Sequence, residues 1–202
     1  IVWKRGRVLH TTMVNSNSSL GLTPIMLPSF LSPLTSAPKH ALGRGVNAVF
    51  HHKQPLGQAH SLWWPPKVSS RPPLSVILFI PGAFLLDSPR RLLIGVIGNP
   101  GLVEFYTPFL SELHERDTVS NIAILAHGHL NHASLPSPDA RALDQSLLAQ
   151  VQNAIEAFDA LEAEFREHTR IIVIGHSVGA FIATQVCADY HLVLRVFSVH
   201  LK

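Results

Sequence analysis

Gly175-His176-Ser177-Val178-Gly179 is the segment of this sequence whose residue types and spacing best suit chemistry. A serine hydroxyl can attack a carbonyl carbon and form an acyl-enzyme, provided a base takes its proton and donors stabilise the oxyanion. The pattern G-x-S-x-G does this at a nucleophile elbow, a sharp turn between a strand and a helix that lifts the serine off the strand end. The neighbours have the right character: the β-branched run Ile171-Ile172-Val173-Ile174 comes before, and helix formers at 180–186 come after. A Cβ at either glycine would crowd the strand or the helix packed over it, and the serine backbone between them is strained. Ser177 is therefore the candidate nucleophile. The backbone N–H of Val178, at the start of the helix, is one candidate oxyanion donor. The other is expected from the loop after the first core strand. Gly98-Asn99-Pro100-Gly101 suits that role, with the main chain of Asn99 as the natural donor. The same four residues also read as a tight turn and helix start.

A base is harder to find. His127 and His129 follow a neighbouring strand and could approach the site, whereas the side chain of His176 should leave the elbow in another direction and is read as structural. Two histidines at i, i+2 are compatible with a metal, but Cys or carboxylate partners at ligand spacing are missing, so no metal is expected. Asp189 lies twelve residues past the serine, about 18 Å along a continuous helix, and His191 is further still. No complete serine–histidine–acid set can be assembled from these residues. Cys187, the sole cysteine, falls on the elbow helix as a small apolar residue, which leaves no internal disulfide.

The elements that must hold the elbow are readable from residue 74 onward. Residues 74–80 form a strong apolar strand ended by Pro81-Gly82, and 92–97 is a second apolar run. Residues 103–116 read as a helix with Phe105, Phe109, Leu110 and Leu113 on one face. Residues 121–126 read as a strand leading into a His-rich loop. Asp139 is a plausible N-cap for a long helix to about residue 168, with an apolar stripe through Leu143, Leu147, Val151, Ile155, Phe158, Leu161 and Phe165. Strands alternating with helices indicate a parallel α/β sheet.

Charge divides the chain at about the same place. Residues 1–86 hold eight Lys and Arg and no Asp or Glu, whereas 87–202 hold eight basic residues against thirteen acidic ones. Ten of the fifteen prolines and all three tryptophans also lie in the first part. Residues 1–70, rich in Ser, Pro and His, are read as an irregular or disordered basic segment, with 71–202 as the folded domain. An acid-free, serine-bearing start also suits an organelle transit peptide, although no sustained amphipathic helix supports one. The basic charges are too scattered for a nucleic-acid tail, so no nucleic-acid partner is expected. No eighteen-residue apolar stretch exists, and no transmembrane helix is expected.

Three motifs taken together resemble the lipid-droplet-associated hydrolases, which have the α/β-hydrolase fold and are of the serine esterase type. They are Asn99-Pro100-Gly101-Leu102-Val103-Glu104-Phe105-Tyr106, the strand followed by His127-Gly128-His129, and Ile174-Gly175-His176-Ser177-Val178-Gly179. They occur in the family's order and cover roughly residues 74–187. The resemblance implies a partial α/β-hydrolase fold, a mostly parallel sheet with flanking helices, ending after the elbow helix. It implies Ser177 as nucleophile and the Asn99 loop as part of the oxyanion hole. It also implies sterol- or acylglycerol-type esters as substrate, residence on lipid droplets, a role in lipid storage and no cofactor. The competing expectations are a droplet-surface protein with little catalysis and a generic cytosolic carboxylesterase.

Two features depart from the family pattern. The family runs a strand directly into P-G-N-P-G, whereas here sixteen residues, 83–98, separate Pro81-Gly82 from Asn99. A retained short intron would explain this insertion; alternatively, 92–97 is the true strand and 74–80 an added one. The family's catalytic acid and histidine also lie well beyond the elbow, and only 25 residues follow Ser177. Without a strand on its far side, the elbow strand would form an apolar sheet edge.

Overall fold

Near-continuous apolar runs, whose successive side chains point to opposite sides, give the central strands two covered faces. A computed structural model describes residues 27–34, 45–82, 102–119, 121–132, 146–165 and 169–190. Its strands are β1 (Leu31–Pro33), β2 (Val46–His51), β3 (Gln58–Trp64), β4 (Ser75–Ile80), β5 (Ala123–His127) and β6 (Arg170–Gly175). Its helices are α1 (Thr107–Arg116), α2 (Leu147–Phe165) and α3 (Val178–Asp189), with a 3-10 turn at Val103–Tyr106 leading into α1. The sheet runs in the order β1-β2-β3-β5-β4-β6. Strands β5, β4 and β6 are parallel, and β1, β2 and β3 extend them as an antiparallel flank.

Each buried strand sends alternate side chains to opposite layers. Val76, Leu78 and Ile80 of β4 join Ala123 and Leu125 of β5 against Ala157, Phe158 and Leu161 of α2 and Ile182 and Val186 of α3. Ile77 and Phe79 join Ile124 and Ala126 on the other face, against Val103, Tyr106 and Leu110. Fully buried aliphatic residues such as Leu78 and Leu125 each contribute about 1.5–3 kcal/mol relative to exposure. The indole N–H of Trp64 donates to Ser111 Oγ at 3.2 Å, and His114 bonds the carbonyl of Pro65 at 2.9 Å, so α1 is fastened across the end of β3. Strand β4 thus lies between β5 and β6 with both edges paired, so residues 74–80 are central to the sheet and not an added strand.

The expectation that residues 1–70 are irregular is corrected by β1, β2 and β3, which all lie within it. Composition misled because β3 is a central strand covered on both faces, with residues 59–64 all buried. Its polar residues are internal partners and not loop signals: His60 bonds Asn47 Oδ1 at 2.9 Å, and Ser61 Oγ bonds His127 Nδ1 at 3.1 Å. The antiparallel flank is for the same reason the part of the sheet that a reading from residue 74 leaves out.

Helix boundaries also move. The run predicted as one helix over 103–116 opens as a 3-10 turn, and Phe105 is 61% exposed instead of facing the core. Pro108 falls in the first turn of α1, where its missing N–H costs nothing. Helix α2 starts at Leu147. Ser146 serves its amino end: its Oγ accepts the Ala149 N–H at 3.2 Å and its carbonyl accepts the Gln150 N–H at 3.1 Å. Asp139, Leu143 and the 92–97 run lie outside the described residues.

Candidate active site

The elbow forms where the β4–β6 ladder ends. Phe79 pairs with Ile174 and Ile80 with Gly175, and the His176 N–H still donates to the Ile80 carbonyl at 3.1 Å. The next residue turns abruptly. Ser177 has φ 54° and ψ −124°, a left-handed-side conformation that costs a non-glycine residue about 1–3 kcal/mol. Bonds from Gly179 N to His176 O and from Ala180 N to Ser177 O, both 2.9 Å, then start α3. Ser177 is exposed at this junction.

Both motif glycines are required by close backbone approach. A Cβ on Gly175 would collide with the backbone of Gly179, and one on Gly179 would strike the carbonyl oxygens of Ile80 and Pro81. The elbow therefore fits only because strand β6, helix α3 and the end of β4 come together without side chains at these two positions. Val178 is the first residue of α3, where helix geometry leaves the amide without an intrahelical acceptor. A backbone N–H next to the serine and facing the positive end of the helix dipole can stabilise a developing oxyanion. Asn99, the other predicted donor, lies outside the described residues.

Pro81-Gly82 and the 102–106 segment meet beside this turn. The Gly82 N–H donates to the hydroxyl of Tyr106 at 3.0 Å, and that hydroxyl is 2.8 Å from Nδ1 of His176. Tyr106 is buried, and its ring packs on Phe79 with centroids 4.8 Å apart. The sequence contains Tyr106 inside a recognised motif, but its contact with a residue seventy positions away leaves no local signal.

The histidines considered as bases are committed elsewhere. His127 is buried between Ser61 Oγ at 3.1 Å and Asn153 Oδ1 at 3.0 Å, and Asn153 Nδ2 donates to the Gly128 carbonyl at 3.0 Å. His129 Nε2 donates to the Pro81 carbonyl at 2.8 Å, so the ring supports the end of β4 from below. Burial pushes the pKa of His127 well below 6.5 and that of His129 down to about 4, so both rings are neutral at pH 7. His176, half-buried, bonds Tyr106, in agreement with a structural role. Asp189 stands at the far end of α3, eleven residues from Val178. Cys187 is buried in α3, and burial raises its thiol pKa. Among the described residues, no group of three or more His, Cys, Asp or Glu could hold a metal ion.

A carboxylate pair with histidine sits on the β3 side of the sheet. Glu104 Oε1 is 3.2 Å from His60 Nδ1, whose other nitrogen bonds Asn47. This ties the 3-10 turn to β3 and fixes the stretch that ends in Tyr106.

The sequence profile of the family described as lipid-droplet associated hydrolase matches residues 89–200. A lipid droplet-associated hydrolase of Drosophila melanogaster is 28% identical over 115 residues, covering 53% of this chain and 36% of that protein. The protein of the same name from Rattus norvegicus is 30% identical over 121 residues, covering 50% of this chain and 34% of its own length. The matched region thus spans about a third of these relatives. A lidless α/β serine hydrolase from Xanthomonas campestris aligns over 72% of this chain and 57% of its own, with 14% identity and a TM-score of 0.45.

Proposed function

This chain belongs to the lipid-droplet-associated hydrolase family, and on that premise we propose that it carries the nucleophile of a serine hydrolase acting on lipid esters. The observation that carries the proposal is the backbone of Ser177, held at φ 54° between a parallel strand and a helix. A conformation this costly persists only where its surroundings over-determine it, and such strain concentrates at functional sites.

The chemistry is acyl transfer. Ser177 Oγ adds to the ester carbonyl, its proton passes to a base, and the oxyanion is held by the Val178 N–H together with a donor from the Asn99 loop. Collapse releases the alcohol with a proton and leaves the acyl group on Ser177. Water then attacks the acyl-enzyme, and the carboxylic acid leaves. The base is a group other than His127, His129 and His176, whose hydrogen bonds lie elsewhere.

The substrate class proposed is a sterol or acylglycerol ester at the droplet surface, in the service of lipid storage. The names of the relatives support the location. Two exposed phenylalanines are in keeping with the class: Phe181, one helical turn past Ser177, is 48% exposed, and Phe105, beside Tyr106, is 61% exposed. No helix among the described residues is long and apolar enough to cross a membrane, so surface attachment is the mode proposed. Residues 83–98 are proposed to be an insertion, which the transcript across codons 82 to 99 would test.

The test is a fluorophosphonate probe on the full-length protein, combined with imaging against a droplet dye. Covalent labelling that Ser177→Ala abolishes, on protein that coats droplets, is the expected result. Droplet coating without labelling would replace the hydrolase with a surface-binding protein, and labelling on protein that stays diffuse would replace it with a general esterase.

A further inference from the structure

We infer that Tyr106 is a positioning residue for the elbow, holding Ser177 at its working position through His176; the inference rests on the hydrolase reading above. Three observations converge on its hydroxyl. The Tyr106 ring is 2% exposed and packs on Phe79 of β4, so the oxygen is placed by the central strand of the sheet. That oxygen accepts the N–H of Gly82, just past the end of the same strand, at 3.0 Å. It also bonds Nδ1 of His176, the residue before the nucleophile, at 2.8 Å.

The arrangement works as a strut. A serine at positive φ is under strain that tends to relax the turn; α3 restrains it from the helix side, and on the strand side the backbone bond from His176 N–H to Ile80 is joined by the side-chain bond to Tyr106. His176 is the last residue before the strained peptide, and its side chain is fixed by a group that belongs to the β4 layer. Relaxation of the turn would pull His176 away from Tyr106 and break a part-buried hydrogen bond. The same hydroxyl occupies the Gly82 amide, which leaves that N–H engaged and assigns oxyanion stabilisation to other amides. Tyr106 is therefore expected to act on the rate of the acyl-transfer step and not on the affinity for the ester. A misplacement of about 1 Å at a reacting atom can cost as much as 100-fold.

The experiment uses full-length protein and separates the two constants of fluorophosphonate inactivation, initial affinity and maximal rate, with active sites counted by burst titration so that only folded protein is compared. Tyr106→Phe, which removes only the hydroxyl, is expected to lower the maximal inactivation rate roughly 10- to 100-fold while the affinity stays within about twofold. His176→Phe should give a similar loss, and the double variant should be no slower than the worse single one, since both remove the shared Tyr106–His176 bond. Hydrogen exchange at the Gly82 amide should accelerate in Tyr106→Phe. An unchanged rate in Tyr106→Phe, or fully additive losses in the double variant, would overturn the role of Tyr106 and leave the hydrolase reading standing. Absence of any labelling in the wild-type protein would sink the hydrolase reading itself.

Discussion

A Cβ added to Gly82 would stand 2.9 Å from the Cβ of Ser177 and 2.7 Å from Nδ1 of His176. The end of the central strand therefore leans directly on the elbow, and the space between them is as narrow as a missing methyl. Gly82→Ala should push the serine or the imidazole aside. We expect loss of fluorophosphonate labelling together with a stability cost of about 1–3 kcal/mol, read from labelling rates and urea melts on one preparation. Wild-type labelling in a well-folded Gly82→Ala variant would show that this approach has slack.

Gly179→Ala is expected to be harsher. Its methyl would meet the carbonyl oxygens of Ile80 and Pro81, which are backbone and cannot swing away. Destabilisation of about 3 kcal/mol or more is expected, large enough to lower soluble yield and the melting temperature. A variant melting within a few degrees of wild type would contradict the packing described at the elbow.

Strain at the nucleophile predicts the opposite sign for one substitution. Ser177→Gly removes the Cβ from a conformation that glycine adopts freely. It should abolish labelling and raise stability by about 1–2 kcal/mol, whereas Ser177→Ala abolishes labelling without that gain. Thermal melts of the three proteins check this ordering, and equal stability of the Gly and Ala variants would remove strain from the account.

Acid should destabilise the fold through its buried imidazoles. Burial holds His52, His60 and His127 below their ordinary value of 6.5 and His129 at about 4. Above 6.5 the rings are neutral in both folded and unfolded chains, and their full contribution is present. As pH falls below 6.5 only the unfolded chain takes up these protons, so stability declines until the folded-state value is passed, about 4 for His129. Each such ring contributes about 1.4 kcal/mol per pH unit inside its window. His129→Gln, whose amide can still donate to Pro81, should flatten the fall in melting temperature between about pH 6.5 and pH 5 by one ring's share. A melting temperature independent of pH over this range would argue that these imidazoles are solvated.

What was legible in the sequence was the part of the fold with local signals. Residues 171–174 and 74–80 are apolar runs bounded by Gly or Pro, and they became β6 and β4. The elbow was legible because its two glycines answer to sterics within five residues. Strand β3 was not, because burial on both faces erases the alternation that marks a strand, and His60 and Ser61 find their partners only in the folded sheet; β2 is its antiparallel neighbour and went unread with it. Gly45 and Gly57 at their starts were the available punctuation. Tyr106 was hidden for the same reason, since its two partners lie 24 and 70 residues away.

The bond between Gly82 and Tyr106 joins the two ends of an excursion of the chain, from residue 83 to residue 101. It acts as a clasp. It fixes Gly82 and Tyr106 against each other beside the serine, although 24 residues of sequence separate them. Through that one hydroxyl, the end of strand β4, the approach to α1 and the residue before the nucleophile are held as a single unit.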